Sequence, residues 1–284
     1  MSPTSRLLHA LASRAALYLL LVVLAVPVLL PGLWMLTSAL KTNEEIFRYP
    51  PTFLPTDWRW ENFARVFELQ PFARQYFNSL YIAILVTAGT IVLSSMAGYA
   101  FARLRFRGRS LLFLLIVSGI LIPHEVTIVP LFRMVGALGL MDTHWPLVVI
   151  PIFSGTGVIA TFVMRQAFLS LPRELEEAAR LDGLGYFGTY WKIALPLVRP
   201  TVAVVTILSM WSSWNLFLEP LIFLRSNEKY TLPLALTQFE DPYGGPLWNV
   251  QMAATTLSVL TVLAVFVAAQ RHVVAGLTAG SIKG

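Results

Sequence analysis

The chain has no cysteine and few charged residues. The absence of cysteine excludes disulfides, thiolate metal sites and cysteine nucleophiles. Charged residues make up 13% of the 284 positions, whereas soluble globular domains carry about a quarter. Because 56% of the residues are hydrophobic and the mean hydropathy is +0.68, the composition is typical of a membrane protein.

The signatures of several enzyme classes are also missing from the sequence. It has no G-x-x-x-x-G-K-[ST] loop for nucleotide phosphates, no H-E-x-x-H pair for zinc and no G-x-S-x-G nucleophile elbow. Glu125 and Glu219 could serve a membrane enzyme as paired acids, but no other pattern supports that alternative. We therefore predict that the chain is not an enzyme and holds no metal.

Six apolar segments are long enough to cross about 30 Å of hydrocarbon, which takes about 20 helical residues. They are Ala15–Leu36, Leu80–Phe101, Leu111–Phe132, Trp145–Phe168, Thr201–Phe223 and Val250–Ala269. The predicted fold class is an all-α polytopic membrane protein with six transmembrane helices. Within the second span, Ser94 and Gly98 form a small-residue face that predicts the close approach of another helix.

The basic residues predict the orientation of these spans. With the N-terminus in the cytoplasm, the cytoplasmic segments hold 13 basic and four acidic residues, and the loop RLRFRGR alone has four arginines. Both termini are then cytoplasmic, and the net charge of +6 is a topology signal rather than a nucleic-acid surface. The chain divides into residues 1–79, an anchor with an external segment, and residues 80–284, a core of five spans with a cytoplasmic loop at 170–200.

The third span contains two prolines with ionisable residues between them. Pro123 and Pro130 interrupt the backbone hydrogen bonding, and His124 and Glu125 are costly at membrane depth unless they meet water or a partner. Two interpretations stay open at this point. The segment is a flexible kink that lines a pore, or it lies near the interface, where Glu125 is hydrated.

The fifth span carries aromatic and polar residues at helical spacing. Trp211, Trp214, Asn215 and Glu219 are predicted to share one helix face. Such a face would suit a sugar-sized polar solute. The alternative is an aromatic belt at the membrane interface, with Asn215 bonded to a neighbouring helix.

The cytoplasmic loop 170–200 contains two short predicted helices. Three glutamates open the first, where they favour the positive end of the helix dipole, and Gly183 supplies a left-handed stop. A helix this short is marginal alone in water, so it must pack against something. It either binds a groove of another protein or folds back on its own bundle, and we expect the second helix, with Phe187, Tyr190, Trp191 and Ala194, to do the latter.

The spacing E-A-A-x3-G-x9-I-x-L-P, which starts at Glu177, resembles the signature of membrane subunits of binding-protein-dependent ABC importers. Further stretches are similar to the carbohydrate branch of that family, and most closely to the maltose-type second permease subunit with its MetI-like fold. They are YFNSLYIA, GYAFARLRFRGR, IPHEVTIVPLF, SWNLFLEPLIFL and the C-terminal GLTAGSIKG. The resemblance covers nearly the whole chain.

The resemblance implies roles for particular residues. The first loop helix would be a coupling helix docked in a cleft of a separate ATPase subunit, through Glu177, Ala178, Ala179, Asp182 and Gly183. The second helix would be anchored to the bundle by Ile193, Leu195 and Pro196. The C-terminal tail, with Thr278, Gly280 and Lys283, would reach the ATPase. The translocation path would draw on Glu125, Trp214, Asn215 and Glu219.

The resemblance also implies partners and a mechanism. The chain would be a permease in a bacterial or archaeal cytoplasmic membrane, with no cofactor of its own. Its partners would be two ATP-binding subunits that carry ATP and Mg, a homologous second permease chain and an extracytoplasmic solute-binding protein. Transport of a sugar or sugar-like solute would follow alternating access. The competing hypothesis is a stand-alone carrier or channel, which would need intramembrane charges for ion coupling.

Overall fold

The computed structural model describes residues 3–281, with side chains described for residues 14–260, 262–264 and 267. Helices dominate this part of the chain. Its residues form no β-strand, and an isolated antiparallel bridge joins Glu240 to Pro246. The predicted all-α class is confirmed.

The helices follow one another with short connections. They are α1 (Pro3–Ser38), α2 (Asn43–Ile46), α3 (Glu61–Leu69), α4 (Phe72–Arg103), α5 (Arg109–Ser118), α6 (His124–Ala137), α7 (Trp145–Phe153), α8 (Gly155–Leu169), α9 (Glu174–Leu181), α10 (Tyr186–Thr189), α11 (Leu195–Leu197), α12 (Arg199–Trp214), α13 (Leu218–Phe223), α14 (Leu232–Ala235) and α15 (Trp248–Ser281). Turns of 3-10 helix lie at Gly119–Leu121 and Asn227–Lys229, and a π-helical turn lies at Tyr190–Ala194.

Three stretches of the described residues are long and apolar enough to span a membrane. They are Arg14–Ser38, Phe72–Arg103 and Trp145–Leu169. Two bent pairs bring the number of possible spans to five: Arg109–Leu121 with His124–Ala137, and Tyr186–Leu197 with Arg199–Trp214. The sixth predicted span lies in α15, whose apolar stretch Trp248–Ala264 is shorter than the other candidate spans. The sequence therefore locates the apolar segments but not their breaks.

The breaks in the third and fourth spans have local causes. The third span bends by 101° where Ile122 is extended and Pro123 lacks a backbone N–H. In the fourth span, Ser154 is extended, and a Cβ on Gly157 would lie 1.7 Å from the Ile152 carbonyl oxygen. Because the Ile152 carbonyl points at the place where a Cβ of residue 157 would lie, only glycine fits at this position.

The chain forms two compact units, which differ from the predicted division at residue 79. The first is Met1–Gln70 with Phe239–Leu260, and the second is Pro71–Gln238 with Thr261–Gly284. The boundary lies earlier than predicted because α4 begins at Phe72 and continues unbroken for 32 residues into the core. The return of residues 239–260 to the first unit was not predicted.

A buried polar cluster organises the first unit. The Lys41 ammonium is fully buried, donates to the Thr52 carbonyl and lies 4.4 Å from the centroid of the Trp34 ring. Asn62 donates to the Lys41 carbonyl at 2.9 Å, and Asn249 donates to the Asn62 side chain at 3.1 Å. These bonds hold the segment after α1 against the start of α15.

Helix α4, about 48 Å long at 1.5 Å per residue, runs through the second unit. At one end, a cluster centred on Tyr99, Met164 and Phe168 joins α4, α8, the π-helical turn and α12. We name this the basic end, because the arginines of residues 103–109 and 173–180 lie there. At the opposite end, Ile82, Leu147 and Phe223 join α4, α7 and α13. The two ends are thus packed by separate clusters.

Candidate functional site

Helix α9 at the basic end is short and strongly amphipathic. Glu174, Glu176 and Glu177 occupy its first turn, as predicted. Gly183 ends it with a φ of +83°, and the Leu184 N–H then donates to the Ala179 carbonyl at 3.0 Å. This left-handed turn is the conformation that glycine adopts without strain, so the predicted helix stop is confirmed.

The two faces of α9 differ in exposure. Glu177 and Ala178 are exposed, as are Asp182 and Gly183 at its C-terminal end. Glu176 and Ala179 are buried within the chain's own bundle. The sequence reasoning assigned Ala179 to contacts with a partner, but its side chain faces inward, because it lies three residues from Glu176 on the same helix face. The surface available to a partner is therefore the one formed by the other four predicted residues.

The second loop segment packs on the bundle, but only through part of the predicted stripe. Tyr190 and Ala194 are buried, and the Tyr190 hydroxyl lies 2.8 Å from the Ser95 hydroxyl on α4. Phe187 and Trp191 were expected to fold back as well, yet they are 68% and 60% exposed. The π-helical turn changes the residue spacing here, so the side chains no longer share one stripe.

The three predicted anchor residues of this segment, Ile193, Leu195 and Pro196, are each half-buried. Leu195 packs against the cluster of Tyr99, Met164 and Phe168. The larger share of the anchoring comes from Tyr190 and Ala194, which the sequence motif does not single out.

The main residue missed by the sequence reasoning is Arg103, at the end of α4. Its guanidinium lies 3.1 Å from a Glu176 carboxylate oxygen and donates to the carbonyls of Phe168 and Leu171, each at 2.5 Å. The sequence places Arg103 in an arginine-rich loop, where it is one of four topology signals. Nothing in the local pattern distinguishes it from Arg105, which is exposed.

An open cleft of about 1090 Å³ lies beside α9 at the basic end. Its walls come from the loop after α4 and from α9 itself, and they include Arg105, Arg107, Arg173 and Arg180. The Arg180 guanidinium stacks 4.7 Å from the centroid of the Tyr186 ring. The arginines of both predicted cytoplasmic loops thus gather at one end of the bundle, as the orientation prediction requires.

The predicted path residues do not form a single face. Helix α12 ends at Trp214, Asn215 donates to the Trp211 carbonyl at 2.8 Å, and Glu219 lies on the separate helix α13. Trp214 is buried edge-on against Tyr76, whereas Asn215 is exposed. The prediction of one shared helix face is wrong, because the helix breaks between these residues.

The acidic pair considered from the sequence is not formed either. The buried Glu219 carboxylate lies 2.6 Å from Nε2 of His124, at the start of α6, whereas Glu125 is exposed. This contact joins the second half of the bent third span to α13. The chain bends at Pro123 and the adjoining histidine has a specific partner, whereas a flexible, pore-lining role of this segment stays a prediction.

The opposite end is held by Asp142. It accepts from the Arg225 and Ser226 N–H groups at 2.9 and 3.0 Å and from the Lys229 ammonium at 3.0 Å. The Ser226 hydroxyl is the largest influence that holds the pKa of Asp142 well below its usual range, and the two backbone donors add to it. This network fixes the loop after α13 to the loop before α7.

Two further predictions concern metal binding and the C-terminal tail. Among the residues with described side chains, no group of three His, Asp or Glu converges as metal ligands would. The proposed ATPase contacts of Thr278, Gly280 and Lys283 lie outside the residues whose side chains the structure describes.

Comparison with known proteins gives one family. Residues 90–279 match the model for the binding-protein-dependent transport system inner membrane component. The arabinooligosaccharides transport system permease protein of Halalkalibacterium halodurans is 35% identical over 257 residues, which cover 89% of this chain and 91% of the relative. The sulfoquinovosyl glycerol transport system permease protein of Agrobacterium fabrum is 35% identical, with 92% of this chain and 91% of the relative covered.

Solved structures show the same fold. A chain of a bacterial ABC transporter involved in the import of the acidic polysaccharide alginate matches with a TM-score of 0.78 at 23% identity. The match covers 95% of this chain and 98% of that one. At this level of identity, the likeness supports the fold and not the solute.

Proposed function

Because this chain belongs to the family of binding-protein-dependent inner membrane transport components, and is thus a permease subunit of an ABC importer, we propose that it moves a sugar or sugar-like solute. The support is the range of its relatives. They are described as permeases for arabinooligosaccharides, sulfoquinovosyl glycerol, lactose and sn-glycerol-3-phosphate, each at least 31% identical. A solute-binding protein on the outer side would deliver the solute.

We place the ATPase contact on the exposed face of α9. The observation that carries this assignment is the split between its two faces: Glu177, Ala178 and Asp182 are exposed, whereas Glu176 and Ala179 are buried in the chain's own bundle. The small Ala178 side chain lets the wall of a groove approach the helix backbone, and the carboxylates can pair with basic groups of the partner.

The proposed mechanism is alternating access driven by the partner. Two ATP-binding subunits, which hold ATP and Mg, close on each other and carry α9 with them. The bundle formed with a homologous second permease chain then switches from inward-facing to outward-facing. Such coupling requires that ATP binding and the outward state stabilise one another. The protein's own residues supply half of the path and one coupling helix.

We propose a bacterial or archaeal cytoplasmic membrane as the location, with the basic end and both termini in the cytoplasm. The gathering of arginines at that end supports the orientation, since basic residues are retained on the cytoplasmic side. The stand-alone carrier considered from the sequence is not supported. The family to which this chain belongs consists of components of larger transport systems, and the buried Glu219 of this chain is already paired with His124.

The test is Ala178→Trp in the complex purified from membranes. We expect the bulky side chain to block docking, so that ATP-binding subunits no longer co-purify and ATP-driven uptake is lost. Uptake of arabinotriose, lactose and sn-glycerol 3-phosphate is measured into vesicles that enclose ATP, with the binding protein added outside.

Leu169→Trp is the matched control, because it places the same tryptophan side chain at an exposed position of α8 near the same end. It should leave co-purification intact. An Ala178→Trp complex that retains its ATP-binding subunits and normal ATP-driven uptake would refute the docking assignment. Absence of uptake of all three probes by the unmodified complex would refute the proposed solute class.

A further inference from the structure

The ion pair between Arg103 and Glu176 is buried and joins two functional regions. The side chains are 5% and 9% exposed, and their charged groups lie 3.1 Å apart. Arg103 ends α4, whereas Glu176 is on the inner face of α9. Both residues border the cleft beside α9, but their side chains are largely removed from water, so removal of either leaves the other without its counter-charge.

Arg103 also contacts a third element. Its guanidinium donates to the carbonyls of Phe168 and Leu171, at the end of α8. The last carbonyls of a helix have no partner within that helix, and a cation at this end is favourable. One side chain therefore connects α4, α8 and α9. A lysine could not match this arrangement, since only the guanidinium fork offers several donors in one plane.

Helix α9 has two attachments to the bundle. Along the chain, it continues through the buried Tyr190 and Ala194 into α12. Across the chain, it is joined by Glu176 to Arg103, and hence to α4 and α8. Movement of α9 can reach α12 by the first route without any side-chain contact. Tyr190 also contacts α4 through the Ser95 hydroxyl, but the ion pair ties a side chain of α9 itself to α4 and, through Arg103, to the end of α8.

We propose that Arg103 and Glu176 are positioning residues for coupling: their ion pair makes α4 and α8 move together with α9 when the ATP-binding subunits close. This inference rests on the proposed function. It assigns no contact with ATPase or solute to either residue. Without the pair, α9 is joined to α4 and α8 only through the segment that follows it, so these two helices follow its movement incompletely.

The absence of cysteine from the chain allows a direct measurement. Spin labels are attached to cysteines that replace Glu174 on α9 and Met96 on α4, both exposed positions. The distance between them is measured in the complete complex in nanodiscs, without nucleotide and with ATP plus vanadate. In the otherwise unmodified chain, we expect the same distance in both states.

Glu176→Gln and Arg103→Gln remove one charge each. With either change, ATP plus vanadate should shift the label distance by about 2 Å or more, the scale of helix displacements in such transitions. The double variant should shift it no further, because the two residues act through one another. Arg105→Gln, an exposed arginine on the same loop, is the matched control and should leave the distance constant.

Each of the following results would overturn the inference: a nucleotide-dependent distance in the unmodified chain, a constant distance in Glu176→Gln and Arg103→Gln, or additive shifts in the double variant. A merely structural defect would broaden the distances equally in both nucleotide states, and this too would overturn it. Failure of ATP-binding subunits to co-purify with the unmodified chain would instead overturn the proposed function, and it is observed before any distance is measured.

Discussion

Helices α4 and α8 approach each other closely at Gly98. A Cβ built on this residue of α4 would lie 2.8 Å from the Met164 Cβ and 2.9 Å from the Arg165 backbone nitrogen, both on α8. The second of these atoms is backbone, so no rotamer change can relieve the contact. Gly98→Ala must therefore push α4 and α8 apart by several tenths of an ångström.

Two opposing effects set the magnitude of this change. Overpacking of a filled interface costs about 1–3 kcal/mol. Replacement of glycine by alanine in a helix returns about 0.5–1 kcal/mol, because the unfolded chain loses freedom. We expect a net destabilisation of about 1–2 kcal/mol.

The assay is thermal unfolding of the purified complex in detergent. A loss of 1 kcal/mol lowers Tm by about 2–4 °C in a chain of this size, so Gly98→Ala should lower it by about 2–8 °C. Gly136→Ala is the matched control, since Gly136 lies within α6 and a Cβ there meets no atom within 4 Å. If Gly98→Ala unfolds at the same temperature as Gly136→Ala, α4 and α8 are not in the contact described.

Two other predictions concern polar contacts. Asp142→Asn keeps a side chain that tolerates the left-handed φ of 56° but removes the charge, so the Arg225 amide should exchange hydrogen about tenfold faster or more. Because the pKa of Asp142 is depressed in the folded state, its contribution is present above the ordinary value of 3.8 and is lost as the pH falls below it. Asp57→Asn changes an exposed aspartate and is the control. If the stability of Asp142→Asn depends on pH in the same way as that of Asp57→Asn, this reasoning is contradicted. Glu219→Gln should lower Tm by several degrees, because it removes a carboxylate oxygen from the buried contact with Nε2 of His124. An unchanged Tm would show that this contact stabilises nothing.

Several elements could be predicted because their causes are local. The apolar segments, the glycine that ends α9 and the small-residue face at Gly98 each depend on a few neighbouring residues, and each is present in the structure. The bend at Pro123 belongs to the same group, since the missing N–H acts where the proline stands. The family resemblance was likewise contained in the spacing of single motifs.

Contacts between distant parts of the chain could not be predicted in this way. Arg103 and Arg105 look alike in the sequence, and only packing of α4 against α8 and α9 buries the first and leaves the second exposed. The assignment of Ala179 to the outer face failed for the same reason. On a helix of eight residues, the motif does not show which side meets the bundle.

The amino-acid sequence by itself determined that this chain lies in a membrane, where its apolar segments fall and to which family it belongs. These properties follow from composition, charge distribution and spacing along the chain. Only the tertiary structure decided which face of α9 is free, where the spans break and which charges pair. Those properties arise when helices far apart in sequence exclude water from the same side chains, and a burial of that kind leaves no local pattern.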